Sequence, residues 1–168
     1  LDRGIDAKMA RTRKRALVRD DITPRSAIIY AAFLGLAGFT ILFFLTNTLT
    51  VLLGLAAIIM YVAVYGLAKR KSVYGTLVGS ISGALPPVGG YVALRNEIDG
   101  AAVLLFLILT SWQMPHFYAI AMYRNQDYAA ANIPVWPIKK GMRSTKLQII
   151  GFIMSFIVCN VLLTALGY

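Results

Sequence analysis

Residues 26–68 read SAIIYAAFLGLAGFTILFFLTNTLTVLLGLAAIIMYVAVYGLA, and no charged side chain interrupts them. As one helix the segment would extend roughly 65 Å at 1.5 Å per residue, about twice the thickness of a bilayer's hydrocarbon core. It must therefore cross twice, with the polar Thr46-Asn47-Thr48 as the break, which predicts spans near 27–45 and 49–68. Three further charge-free runs, 72–94, 100–123 and 147–167, each reach the ~20 residues that a spanning helix needs. The expected fold class is all-α: a polytopic transmembrane bundle of five spans, one membrane domain over residues 1–168. Composition agrees, because 58% hydrophobic and only 14% charged residues, with a mean hydropathy of +0.69, cannot build a polar shell around a soluble core.

Seventeen Lys and Arg against seven acidic residues give a net charge of +10. In a soluble domain that excess would suggest a nucleic-acid partner; here the placement of the cations argues for a lipid bilayer and against nucleic acid. Eight fall in 1–26, none in 46–48, three in 69–71, one in 95–99 and five in 124–146. By the positive-inside rule the segments 1–26, 69–71 and 124–146 are cytoplasmic loops, while 46–48, 95–99 and the C-terminus face outward. The single cysteine, Cys159, excludes an intramolecular disulfide and reads as a small packing or lipid-facing residue. The chain begins at Leu1 within a charged stretch and carries no signal-peptide pattern, which reads as an internal fragment.

The third span is unusual. Gly75, Gly79 and Gly83 recur every fourth residue, a face that a neighbouring helix can approach closely. Pro86-Pro87 and Gly89-Gly90 are then expected to interrupt the helix and free backbone carbonyls, which places this span inside the bundle where protein or a cavity can satisfy them.

Two polar segments carry candidate chemistry. In the first, Asp2 and Asp6 lie one helical turn apart among Arg3, Lys8, Arg11, Arg13, Lys14 and Arg15. Carboxylates mixed with cations suit a magnesium diphosphate, with the acids holding the metal and the cations the phosphate oxygens; an ordinary juxtamembrane polybasic loop would show the same residues. In the second, Trp112, His116 and Tyr123 share a helical face, and His116, the one histidine, lies about 12 Å from the cytoplasmic end near Arg124. At such depth an ionisable group is a functional candidate, although a satisfied structural histidine remains the alternative. Asp127 follows, the lone acid of its segment, and the stretch Asn132 to Gly141 is expected to form a stiff extended loop, either a cap over a site or an interfacial linker anchored by Trp136. Lys69 and Arg70 add cations on the same face, for phosphate binding or for topology.

Taken together, Asp2-Arg-Gly-Ile-Asp6, Lys69-Arg70-Lys-Ser-Val-Tyr74-Gly75, Gly83-Ala-Leu-Pro86-Pro87, Trp112-Gln-Met-Pro-His116-Phe-Tyr118 and Asp127-Tyr-Ala-Ala-Ala-Asn-Ile-Pro134-Val-Trp-Pro137 resemble, in order and spacing, the haem-farnesylating branch of the UbiA-type intramembrane prenyltransferases. The resemblance covers essentially the whole chain. It implies a nine-span bundle of which these five are the third to the seventh, with aspartate-rich motifs in the cytoplasmic loops after the second and sixth. Asp2 and Asp6 match aspartates of the first motif, Asn-x-x-x-Asp-x-x-x-Asp, whose Asn would precede Leu1, and Gly4 stands where many relatives carry a third acid. The implied activity is transfer of a farnesyl group from farnesyl diphosphate to a vinyl group of haem B, with water addition, giving haem O and diphosphate in a bacterial inner membrane. The implied cofactor is Mg²⁺, held by Asp2, Asp6 and Asp127, with Arg11, Arg15, Lys69 and Arg70 on the diphosphate. Trp112 and Tyr118 would face the allylic cation, and His116 would position haem through its iron or act as acid or base near the vinyl group. Two rival readings stand beside this one: a prenyltransferase acting on an aromatic quinone precursor, and a non-enzymatic transporter whose basic loops serve topology alone.

Overall fold

In the computed structural model, which describes residues 3–168, side-chain caps bound most of the long helices. A single turn, α1 (Arg3–Asp6), precedes the first of them. Thr23 accepts from the amide of Ser26 while Pro24 takes the first helical position, where its missing N–H is harmless, so α2 (Pro24–Leu45) starts directly after the basic segment. Asn47 then opens α3 (Thr48–Ile59): its Oδ1 accepts from the amide and the hydroxyl of Thr50 at 2.9 and 3.0 Å. Its Nδ2 donates to the Val92 carbonyl at 2.8 Å, stitching the α2–α3 turn to a third helix. α3 runs through a π-helical segment, Met60–Tyr65, into α4 (Gly66–Lys71), so that Thr48–Lys71 is one continuous rod. α5 (Gly75–Arg95) ends at Asn96 in the left-handed conformation, φ 55°. Asp99 caps α6 (Gly100–Tyr123), accepting from the Ala102 amide at 2.9 Å and the Tyr91 hydroxyl at 2.7 Å. Two short helices, α7 (Asn125–Ala130) and α8 (Trp136–Lys140), lead to α9 (Met142–Ala165).

Five rods, Pro24–Leu45, Thr48–Lys71, Gly75–Arg95, Gly100–Tyr123 and Met142–Ala165, are long and apolar enough to cross a membrane, and no strand occurs among the described residues. The protein is an all-α polytopic membrane protein. Its spans pack in a row, α2 on α3, α3 on α5, α5 on α6 and α6 on α9, and among the described residues α2 and α9 do not meet. The row is therefore open, with α5 and α6 at its centre supplying most of the buried side chains. Val88 and Val92 pack on Ala102, while Leu104 and Ile108 enclose Cys159, which thus serves as a packing residue. Ser111 and Ser155 share a hydrogen bond of 2.9 Å across α6 and α9.

Two local expectations are corrected. α5 continues unbroken through Pro86 and Pro87. The prolines delete only the donors to the Ser82 and Gly83 carbonyls, and packing of α5 between α3 and α6 holds the helical path. The extended stretch expected over 132–141 ends at Val135, because Pro137 sits in the first turn of α8, where a missing amide breaks no intrahelical bond. The glycine stripe admits backbone at one position alone: a Cβ on Gly75 would lie 2.8 Å from Lys69 Cα, whereas Gly79 meets the ring of Tyr65 and Gly83 the side-chain amide of Gln113.

Candidate functional site

One end of the bundle gathers the α4–α5 connection, the end of α6, α7, and both polar segments. Apolar contacts bring the segments together: Ile5 and Met9 pack on Tyr128, Ala131, Ile133 and Val135. Burial of this small cluster fixes the N-terminal stretch against the 128–135 loop, and each segment carries a carboxylate beside it. Asp6 is almost fully buried; its Oδ2 accepts from Arg15 Nη1 at 2.8 Å, and Thr12 donates its hydroxyl to the Asp6 carbonyl at 2.8 Å. Asp127, in the first turn of α7, faces Arg124 at 3.8 Å, too long for a direct hydrogen bond. The Arg124 guanidinium lies 5.2 Å from the ring centroid of Tyr123.

Between these elements opens a cavity of about 600 Å³. Arg11, Lys69 and Arg124 supply its charge, Tyr61, Tyr65, Phe117, Tyr123 and Tyr128 its aromatic wall, and Pro134 and Val135 part of its rim. Cations beside aromatic and apolar surface suit a ligand with an anionic head and a hydrophobic body.

Arg11 and Lys69 line the cavity, Asp6 and Asp127 lie off its wall on the two segments that the apolar cluster joins, and Asp2 lies outside the described residues. Arg15 serves Asp6 directly, and Arg70 is exposed and off the cavity wall. Trp112 and His116 stack with ring centroids 6.1 Å apart and planes within 10°, on an exposed face of α6 outside the cavity. The nearest link from that face to the cavity is Phe117, 5.8 Å from His116. Tyr118 points elsewhere: it is buried 6.4 Å from both Trp136 and Phe152, holding α6 to α8 and α9. The cavity residues that sequence reasoning passed over are Arg124, Tyr61, Tyr65, Phe117 and Tyr128. The spacing of four in Tyr61, Tyr65 and Lys69 was the available signal, since it sets an aromatic pair, with centroids 5.5 Å apart, and a cation along one helix face.

Among the described residues no three His, Cys, Asp or Glu side chains cluster as a metal site. The donor set nevertheless suits a hard cation shared with a diphosphate: Asp6 and Asp127 bring carboxylate oxygens to the same end, and their arginine partners approach Oδ2 in each.

The model of the UbiA prenyltransferase family matches residues 1–168. Among curated proteins the chain is 50% identical to the protoheme IX farnesyltransferase of Sodalis glossinidius and 50% to that of Yersinia pseudotuberculosis. It is 49% identical to protoheme IX farnesyltransferase 2 of Pseudomonas fluorescens. Each alignment takes in 169 residues, 100% of this chain and 57% of the relative, so the chain spans little more than half the length of the curated relatives it matches. No solved structure matches it.

Proposed function

The chain belongs to the UbiA prenyltransferase family, and from that premise we propose that it forms part of an intramembrane enzyme transferring a farnesyl group from farnesyl diphosphate to a vinyl group of haem B. Water addition would complete the hydroxyethylfarnesyl side chain of haem O and leave diphosphate. The observation that carries this reading is the union of the two polar segments beside a cavity whose cations border an aromatic wall. The names of the relatives supply the farnesyl donor and the haem acceptor.

Ionisation of the allylic C–O bond is the difficult step. Arg11, Lys69 and Arg124 bind the diphosphate oxygens and take up the charge that develops as the bond breaks, with Arg70 adding positive potential nearby. Asp6 and Asp127, with Asp2, would hold magnesium, which would supply positive charge to offset that of the leaving diphosphate. Arg15 holds the Asp6 carboxylate in place at this end of the bundle. The rings of Tyr61, Phe117 and Tyr128 exclude water from the farnesyl cation and stabilise it through their faces. Trp112 and His116, stacked and exposed on α6, would face the haem, with the imidazole suited to its iron. Tyr118 contributes through the packing it makes. By the positive-inside rule the cation-rich segments support a site on the cytoplasmic side of a bacterial inner membrane.

The test is mass spectrometry of haem extracted from membranes expressing the full-length gene. The wild type yields haem O, and Asp6→Ala lowers the yield at least roughly a hundredfold while membrane insertion persists. An undiminished yield rejects the metal assignment, and prenylation of an added aromatic acid in place of haem would move the acceptor to a quinone precursor. His116→Ala removes haem binding in an absorbance titration and leaves farnesyl diphosphate binding intact; the reverse pattern transfers His116 to the donor side.

A further inference from the structure

Tyr65 and Gly79, both on the wall of the charged cavity, are held in a contact that the ionisation chemistry leaves unused. Tyr65 ends the π-helical segment Met60–Tyr65, a kind of turn that recurs at functional sites, and Gly79 follows Gly75 by one turn of α5. A Cβ added to Gly79 would stand 2.9 Å from Cε2 and 3.2 Å from Cδ2 of the Tyr65 ring. Both distances fall inside the ~3.5–4.0 Å at which carbon atoms attract each other best. The ring therefore occupies the place that a side chain at position 79 would take. This contact joins two neighbouring spans inside the row, so it owes nothing to what packs beyond α2 or α9.

The same helix shows where the cavity stops. Gly75, Thr76 and Gly79 line it, whereas Gly83, one turn further along that face, does not. There Gln113 of α6 fills the groove, its side-chain amide taking the space that a Gly83 Cβ would need. On the α5 side the cavity thus ends at Gly79 and the ring packed on it. Lys69, one of its cations, lies four residues beyond Tyr65, about 6 Å along the helix. A ligand with its anionic head among the cations runs its apolar tail past the Tyr65 ring.

We infer that the contact between Tyr65 and Gly79 gauges the prenyl tail. With no side chain at position 79 the ring stays against α5 and leaves room for a farnesyl tail; a side chain there drives the ring into that room. The inference rests on the reading that this cavity holds the prenyl diphosphate. Along its own helix the ring is backed by Tyr61, with centroids 5.5 Å apart, and α5 is the side from which it is pushed, so the cavity receives it. In an apolar pocket the room of one methylene separates substrates by about ten- to two-hundredfold, enough for a small displacement to be read in selectivity.

The experiment offers the full-length enzyme haem B and an equimolar mixture of geranyl, farnesyl and geranylgeranyl diphosphates, and mass spectrometry separates the prenylated haems. The donors compete within one sample, so the product ratio does not depend on how much enzyme is folded. The wild type favours farnesyl. Gly79→Ala raises the geranyl-to-farnesyl ratio by about tenfold or more; alanine, the better helix former, does not weaken α5 itself. Tyr65→Leu removes the ring and raises the geranylgeranyl-to-farnesyl ratio by about tenfold. In the double variant the geranyl-to-farnesyl ratio stays within about twofold of that of Tyr65→Leu, because the methyl group has no ring to push. Gly90→Ala, on the same helix with nothing within 4 Å of the added carbon, keeps the wild-type ratios. The gauge is overturned by a Gly79→Ala enzyme that retains the wild-type preference, by a methyl group that acts at full strength without the ring, or by an equal shift in Gly90→Ala. Should Gly79→Ala yield no product, Tyr65→Leu decides alone, and an unchanged geranylgeranyl share overturns the gauge. A wild type that attaches none of the three donors to haem B overturns the reading of the cavity itself, and the gauge falls with it.

Discussion

Cavities of about 600 Å³ open at both ends of the α3–α5 pair, and volume does not distinguish them. The walls do. One holds Arg11, Lys69 and Arg124 with five aromatic rings; the other is made of Phe43, Thr46, Asn47, Thr48, Leu49, Val51, Leu52 and Asn96 and carries no charge. At the uncharged end the polar groups serve the backbone. Asn47 uses both atoms of its amide, Thr46 donates to the Leu42 carbonyl, and nearby Asp99 accepts from Tyr91 and Ala102. At the charged end the nearest ion pair of the wall, Arg124 with Asp127, is loose at 3.8 Å. A polar group committed to a helix terminus stabilises the fold and has little left for a ligand, whereas a cation on a cavity wall in a loose pair can exchange its partner for a phosphate.

The largest effect that would sharpen the contrast is at Arg124. Replacing it with glutamine removes one charge-assisted contact to the diphosphate, which at about 1.5–3 kcal/mol raises KM for farnesyl diphosphate by roughly ten- to a hundredfold. Steady-state kinetics of the full-length enzyme, with haem saturating, read this directly. An unchanged KM would mean that the charged cavity is not the diphosphate site, and the two ends would no longer differ in kind.

Asn47→Ala tests the opposite end and should act on stability alone. It removes the cap of α3 and the bond to the Val92 carbonyl together, a loss of about 1–3 kcal/mol, measurable as earlier unfolding in denaturant followed by far-UV circular dichroism. Kinetic constants at a temperature where the variant remains folded should match the wild type. A KM that rose as it does for Arg124→Gln would erase the division between structural and ligand-facing polar groups.

The uneven legibility of the sequence follows the same division. The spanning helices could be read from residues 26–68 and the later charge-free runs because hydrocarbon leaves backbone groups no partners but one another, and because every charge near the core is costly. The faces of those helices could not be read. α6 is apolar nearly all round, so its pattern does not distinguish Phe117, on the cavity, from Trp112 and His116, on the exposed side. Tyr61 and Tyr65 carried a spacing of four that sets them on one face with Lys69, but both lie in a π-helical segment that an α-helical pattern does not announce. Pro86 and Pro87 misled for a related reason: helix propensity is a local preference, and packing against two neighbours overrode it. Asp6 was legible as a residue of interest, but its pairing with Arg15 depends on the fold of the 7–15 turns, where Thr12 is buried and bonded to the Asp6 carbonyl.

The smallest predicted effect lies in the acid response of the uncharged end. The Asp99 carboxyl is held below its ordinary value of 3.8, first by the Tyr91 hydroxyl that donates to it, then by the Ala102 amide and the charge of Arg95, with desolvation opposing them. A carboxylate whose proton affinity is lower in the folded than in the unfolded chain contributes stability that is complete above the unfolded value and is lost as pH falls through the folded one. Tyr91→Phe deletes the leading cause, so the folded value returns toward 3.8 and less stability remains to be lost on acidification. Denaturant unfolding in detergent at neutral pH and again near pH 3 should therefore show a smaller drop for Tyr91→Phe than for the wild type. Equal drops would show that the hydroxyl does not hold Asp99 in its charged form, leaving the Ala102 amide as the bond that commits this carboxylate to the start of α6 rather than to the solvent beside it.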